Sequence, residues 1–431
     1  MFLQLKKIVL TFIFIISSQI FAKNKYQSSF EDLSQIVRLE LDPQWIAILD
    51  KFEQLPPEPE RLSFSEQKEL ILGTGMIHWS SEVHDYLSLV DLLFTDLSLA
   101  DQNRERARFD DSKAQLELFV DELNRFILKI HPQFSRLQID QLQKIYDGRG
   151  IKVAVFDIFD AEILDQQRLF YAKSFIHPVH RFGNPVRMQH GNSVIDVLLK
   201  LAPALEIIPV SSDARSYAEA MHFMNSQQSI DIVNFSRSFA PARGLLSLDP
   251  LFFEELSVMV QKKILCKALG NTGTDLDGKL SLIRQVRGLG FIDNLFSYDL
   301  ALIKEFSHSV NLEQSLTLFA VSLDVFGDEN ALTTTIPGLY SALQARTLSV
   351  PAEGVWSQSV RSFESGTSFA APQLAAFSAL LLQDLRTRGG KLSDFEQKQH
   401  VIHSLSSSAD RASHAASDWG LGLPSGVSIL R

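Results

Sequence analysis

Cysteine is nearly absent: Cys266 stands alone in 431 residues. No internal disulfide can form, so stability has to come from packing. Cys266 lies in the strand-like run Lys263–Leu269 and reads as a small buried hydrophobe, not a catalytic thiol. Basic charge is also in deficit. Lys and Arg number 41 against 51 Asp and Glu, a net charge of −10, which argues against a nucleic-acid partner. Beyond the N-terminus no run approaches the ~20 apolar residues that a membrane-spanning helix needs. With 45% hydrophobic and 21% charged residues, the chain is long enough for one large core and a smaller domain.

The first residues form one apolar run. Lys6 and Lys7 precede Ile8–Ile16, and Ser17-Ser18-Gln19-Ile20-Phe21-Ala22 follows. A charged start, a short apolar stretch and a small residue before a cut after Ala22 are the parts of a signal peptide. The run is too short to span a bilayer. Residues 1–22 are therefore expected to be removed. The protein would then be secreted or periplasmic, with no membrane attachment afterwards. No cysteine stands near the cut to carry a lipid.

Residues 23–150 read as mainly helical. Pro56-Pro57-Glu58-Pro59 marks a break. Ser81 is a candidate cap for a helix with Val83, Tyr86, Leu87, Val90, Leu93, Phe94 and Leu97 on one face. A second helix carries Leu116, Phe119, Leu123, Phe126, Ile127 and Ile130 and stops before Pro132. Asp147-Gly148-Arg149-Gly150 reads as a flexible junction and a candidate processing region. Nothing in the segment carries evident chemistry.

The most informative stretch is Glu364-Ser365-Gly366-Thr367-Ser368-Phe369-Ala370-Ala371-Pro372, continuing through Gln373-Leu374-Ala375-Ala376. Apolar residues at helical spacing follow as far as Leu385, so a loop runs into a helix. Pro372 is expected in the first turn, where N–H groups lack helical partners. Ser368 then sits at a helix N-terminus, whose free N–H groups and dipole favour negative charge. A serine there is an ordinary cap or a nucleophile whose attack leaves an oxyanion. The nucleophile needs a base, and the base an orienter.

Gly366-Thr367-Ser368-x-Ala370-x-Pro372-x-x-Ala375-Ala376 resembles the nucleophile segment of the subtilisin-like serine proteases, with every position filled. Upstream, Ile151–Asp157 is a buried-strand run ending in a carboxylate. It resembles the family's aspartate segment, with Asp157 as orienter and Asp160 as a lesser candidate. The family follows this Asp with Ser or Thr and then Gly. Here Ile158 and Phe159 stand instead. His190-Gly191, a helical run and the strand Leu205–Val210 resemble the histidine segment, although Asn192 and Ser193 replace the usual Thr and its neighbour. Ser229–Ser238 resembles the cleft-lining strand, which implies Asn234, Ser236 and Ser238 in substrate binding by backbone pairing. Ser238 occupies a position where the family has Gly. Gly270-Asn271-Thr272-Gly273 is turn chemistry by itself. The resemblance implies that Asn271 donates to the oxyanion, together with the Ser368 N–H. The order Asp157, His190, Asn271, Ser368 is the family's, and the likeness extends over residues 151–431.

The resemblance implies an α/β fold, a subtilisin-like parallel sheet flanked by helices after the helical N-terminal segment. It implies a secreted serine endopeptidase, a polypeptide substrate and no organic cofactor. Structural calcium occurs in the family, but Asp275-Leu276-Asp277-Gly278, Asp324 and Asp328-Glu329-Asn330 complete no calcium-loop pattern, and no metal ligand is assigned. Residues 23–150 are expected to be either a propeptide acting as an intramolecular inhibitor or a retained helical domain. Because of the departures at 158, 159, 192, 193 and 238, a catalytically silent binding protein on the same scaffold stands as the alternative.

Overall fold

A computed structural model describes residues 25–38, 43–56, 76–130, 139–185, 187–237, 250–271, 315–324, 341–360, 362–389, 391–411 and 414–426, with isolated residues between them. The chain divides into two compact units, Met1–His131 and Pro132–Arg431. The expected signal peptide, Ser238, and the oxygen-rich turns at Asp275–Gly278 and Asp328–Glu329 lie outside the described residues. No described helix is long and apolar enough to cross a membrane.

The described elements of the first unit are helices: α1 over residues 25–36, α2 (Pro43–Glu53), α3 (Met76–Thr95) and α4 (Leu99–Ile130). Phe30 stacks on Trp45 with ring centroids 5.6 Å apart, and Tyr86 leans on both rings. Val83, Leu87, Val90 and Phe94 of α3 are buried, as are Leu116, Phe119 and Leu123 of α4, the faces that the spacing predicts. Ser81 lies inside α3, past its first turn, and so is not at a cap position. The buried Trp79 continues the apolar stripe upstream, so the helix begins at Met76. Ser98 is the capping serine, accepting at 3.2 Å from the Asp101 N–H ahead of α4.

The second unit is a mixed α/β fold. Its strands are β1 (Lys152–Phe156), β2 (Phe175–Ile176), β3 (His180–Phe182), β4 (Glu206–Ser212), β5 (Ile232–Phe235), β6 (Ile264–Ala268), β7 (Thr317–Leu323) and β8 (Thr347–Pro351). They form an eight-stranded sheet in the order β2-β4-β1-β5-β6-β7-β8, with β3 also on β4. Every pairing is parallel. A strand buried on both faces needs apolar residues at every position, which is why Val153–Phe156 is continuous. Val153 and Val155 face one core with Ile207, Ile232 and Cys266. Ala154 and Phe156 face the other with Val210, Val233 and Phe319. Burial at that first face pushes the Cys266 thiol up to about 12.

Helices cover both faces. Those used below are α5 (Ile139–Gln143), α6 (Ala161–Phe170), α7 (His190–Leu201), α8 (Tyr217–Ser226), α9 (Pro250–Met259), α10 (Thr367–Thr387) and α11 (Asp394–Ser408). A ribbon of β9 (Val355–Ser357) and antiparallel β10 (Ser362–Glu364) leads into α10. α7, α10 and α11 pack on the first face, α8 and α9 on the second. Asp160 caps α6, its carboxylate accepting from the Glu162 N–H.

β1 lies between β4 and β5. The chain leaves β1 toward one edge and returns for β5 on the other side. Connections diverging above such a reversal open a crevice at the carboxyl ends of the strands. Asp157 follows β1 and Ser236 follows β5 at that point.

The described residues between Leu137 and Gly150 belong with the sheet of the second unit. Leu137, Ile139 and Leu142 are buried in its core. The Asp147 and Gly148 N–H groups donate to Gln383 Oε1 at 3.0 and 2.7 Å, and the Asp147 carbonyl accepts from Ala204 N–H at 2.8 Å. The Asp147–Gly150 junction is thus tied down, unlike the flexible segment expected. Gln383 comes from α10 and Ala204 from the turn after α7, both far away in sequence.

Candidate active site

Asp157 is fully buried. Its N–H donates to the Val210 carbonyl at 2.9 Å, continuing the β1–β4 ladder. Oδ1 accepts from the Ile158 N–H at 2.8 Å and lies 2.8 Å from His190 Nδ1. An ionised carboxylate can only accept, so Nδ1 carries the proton and Nε2 is left as an acceptor. Asp157 Oδ2 is buried without a partner among the described residues. Ile158 offers that oxygen no hydroxyl.

His190 opens α7 with a half-buried side chain, and its ring lies 5.5 Å from that of Phe369. Burial would lower its pKa, but the charge and hydrogen bond of Asp157, with Glu364 in support and Arg237 opposed, hold it above the ordinary 6.5. Glu364, at the end of β10, opens the serine stretch, and the pattern of that stretch gives it no role. A charge acting through space has no signature in residue spacing.

Ser368 is the second residue of α10, where its N–H precedes the first intrahelical bond. Pro372 falls in the second turn, not the first. Lacking an N–H, it cannot donate to the Ser368 carbonyl. Ser236 Oγ donates to that carbonyl at 2.8 Å instead. In return, Ser368 Oγ donates to the Ser236 carbonyl at 2.8 Å. Among the described residues no hydrogen bond joins Ser368 to His190.

Asn271 is held at one end. Its Oδ1 accepts from the Thr367 N–H at 2.8 Å and from Thr367 Oγ1 at 2.9 Å. The amide Nδ2 has no partner among the described residues. Gly366 makes this approach feasible. It has φ +118° and ψ 174°, and a Cβ there would sit 2.7 Å from Asn271 Nδ2. Asn271, Gly366, Thr367 and Ser368 are thereby locked together, although β7 and β8 separate Asn271 from the rest in sequence.

The residues implied in substrate binding are more deeply set than the strand pattern suggests. Asn234 is fully buried, and its Nδ2 donates to Ser236 Oγ at 2.9 Å. Ser236 is buried as well, with its hydroxyl engaged by Ser368. No group of three or more His, Cys, Asp or Glu among the described residues is placed to hold a metal ion.

No family model matches the chain, and no curated protein does. Solved structures do match at low identity. The chain is similar to the prenylagaramide maturation protease PagA at 16% identity and TM-score 0.48, over 68% of this chain and 98% of that one. It is similar to a lanthipeptide protease at 17% and 0.48, over 70% and 93%. It is similar to the patellamide maturation protease PatA at 17% and 0.45, over 65% and 96%. At such values the likeness says nothing of chemistry, which has to come from the side chains.

Proposed function

We propose that this protein is an exported serine endopeptidase of the subtilisin-like class, cleaving polypeptides through an acyl-enzyme. The observation that carries the reading is the buried Asp157 carboxylate holding the Nδ1 proton of His190 at 2.8 Å beside a serine at a helix N-terminus. Asp157 orients the ring and supports its positive charge. Rotation about the Ser368 Cα–Cβ bond takes Oγ from the Ser236 carbonyl toward Nε2. His190 removes the proton as the Oγ–carbon bond forms, then returns it to the leaving amine as the scissile C–N bond breaks. Water repeats the sequence and releases the acyl group. The Asn271 amide and the Ser368 N–H receive the oxyanion. No metal or organic cofactor enters this scheme. The signal-like N-terminus supports export to the periplasm or beyond. The helical segment to residue 150 is read as a propeptide that inhibits the site until removed.

One observation favours a second reading, a silent binding protein on this scaffold: Ser368 Oγ donates to Ser236, not to His190. A fluorophosphonate probe on the exported protein separates the two. Covalent labelling that is lost in Ser368→Ala, with hydrolysis of an unstructured protein substrate, is the expected result. A folded wild type that neither labels nor hydrolyses would leave only the binding reading.

A further inference from the structure

The turn after Asp157 carries Ile158 and Phe159 where a short polar residue and glycine would make a compact loop, yet Asp157 still meets His190. The reason lies on one face of α7. Asn192 and Asp196 are four residues apart and share that face. Gln167 of α6 lies between them, and all three are buried.

Asn192 grips the turn. Its Oδ1 accepts from the Asp160 N–H at 2.9 Å, and its Nδ2 donates to the Asp160 carbonyl at 3.1 Å. Its neighbour Gly191 donates its N–H to the Ile158 carbonyl at 2.8 Å. A Cβ on Gly191 would lie 2.5 Å from Phe159 Cε1, so the bulky turn is seated directly on the start of α7. Gln167 joins the two ends. Its Nε2 donates to the Asn192 carbonyl and to Asp196 Oδ1, both at 2.8 Å, and its Oε1 accepts from Asn192 Nδ2 at 3.1 Å. Asp196 Oδ2 then accepts from Ser357 Oγ, the Ser359 N–H and Ser359 Oγ at 2.8, 2.7 and 2.6 Å. Those serines belong to the ribbon that delivers Glu364 and Gly366 to Ser368.

We infer that Asn192, Gln167 and Asp196 form a polar clamp that positions the three segments bearing Asp157, His190 and Ser368 against one another. The clamp rests on the reading that these three act together. None of its members touches a reacting atom, so they are positioning residues. Each bond of a buried network depends on its neighbours being satisfied, which makes the clamp a single unit. Its effect on His190 passes through Asp157. The other charges felt by the ring, Glu364 and Arg237, lie outside the clamp.

The test uses the exported protein with Asn192→Ala, Gln167→Met and the double variant. Three quantities are read: kcat and KM on a quenched peptide, the acid limb of kcat/KM, and the titration of the His190 imidazole by proton NMR. Misplacement by ~1 Å costs about 10²-fold in rate. Asn192→Ala is expected to lower kcat by that order, with KM within about threefold. Its acid limb and its NMR titration should both move down toward 6.5, and the double variant should be no worse than the poorer single. A folded Asn192→Ala with wild-type kcat and titration overturns the clamp. So does a variant that only melts earlier while both pH readouts stay in place. If Asn192→Ala does not fold, Gln167→Met carries the same expectations and the same refutation. The NMR titration needs no turnover. An inactive wild type whose His190 titration still falls in the variants would therefore sink the peptidase reading and leave the clamp standing.

Discussion

Gly366→Ala is the most demanding single test of the oxyanion geometry. The residue has φ +118° and ψ 174°, a region almost closed to side chains, and occupying it costs on the order of 1–3 kcal/mol. The added Cβ would lie 2.7 Å from Asn271 Nδ2 and 2.9 Å from its Oδ1. Relief can come only from moving the carboxamide, which gives up the two Thr367 bonds at 2.8 and 2.9 Å. Loss of an oxyanion-hole amide lowers turnover by about 10²–10³, a figure that comes from a subtilisin. Such a donor meets full charge only in the transition state, so the loss should fall on kcat and leave KM within a few-fold. The strain should also lower the melting point, by roughly 2–4 °C per kcal/mol for a unit of this size. Steady-state kinetics on a quenched peptide and a thermal melt of the same sample read both effects. Asn271→Ala and the double variant complete the cycle. If Gly366 acts through Asn271, the double variant should be little slower than Asn271→Ala alone. Wild-type kcat in Gly366→Ala, or losses that multiply in the double variant, would refute the reasoning.

Asp157→Asn should lower kcat by about 10⁴, because the amide favours the wrong His190 tautomer. The same change should bring the acid limb down from above 6.5, since the folded His190 value is raised chiefly by Asp157 over the opposing effect of burial. By the same linkage the Asp157–His190 pair favours the fold fully below pH 6.5, and that contribution is lost as pH rises through the folded value; a pH series of melts on wild type and Asp157→Asn measures it. Arg386→Met removes a bidentate partner, at 2.6 and 3.0 Å, from the buried Asp231. It should cost about 3 kcal/mol in denaturant unfolding, and kcat at a temperature where the variant is folded should not change. Wild-type protein should separate into two pieces near residues 147–150 and Ser368→Ala should not, as followed by mass spectrometry of purified chains. Such a cut has to break the Gln383 contacts of Asp147 and Gly148, so an intact and fully active wild type would make the helical unit a retained domain.

Local pattern in the chain was enough for the main strands and helices, while the candidate chemical groups were marked by the likeness of their segments to a known family. The unbroken apolar run before Asp157 required a strand buried on both faces. The apolar spacing after Ser368 required a helix starting at the serine. Such requirements follow from periodicity and from which backbone groups a residue type can satisfy. Tertiary structure alone decided how the groups meet, because those contacts join residues distant in sequence. It turned Asn192 from a departure into the grip on the Asp160 backbone, and made Asn234 a buried brace for Ser236. It moved Pro372 past the first turn and supplied Ser236 Oγ to the carbonyl that the proline leaves unbonded. It also tied Asp147–Gly150 to α10 where composition suggested freedom. A buried polar atom must find a partner wherever the fold brings one, and no spacing along the chain names that partner in advance.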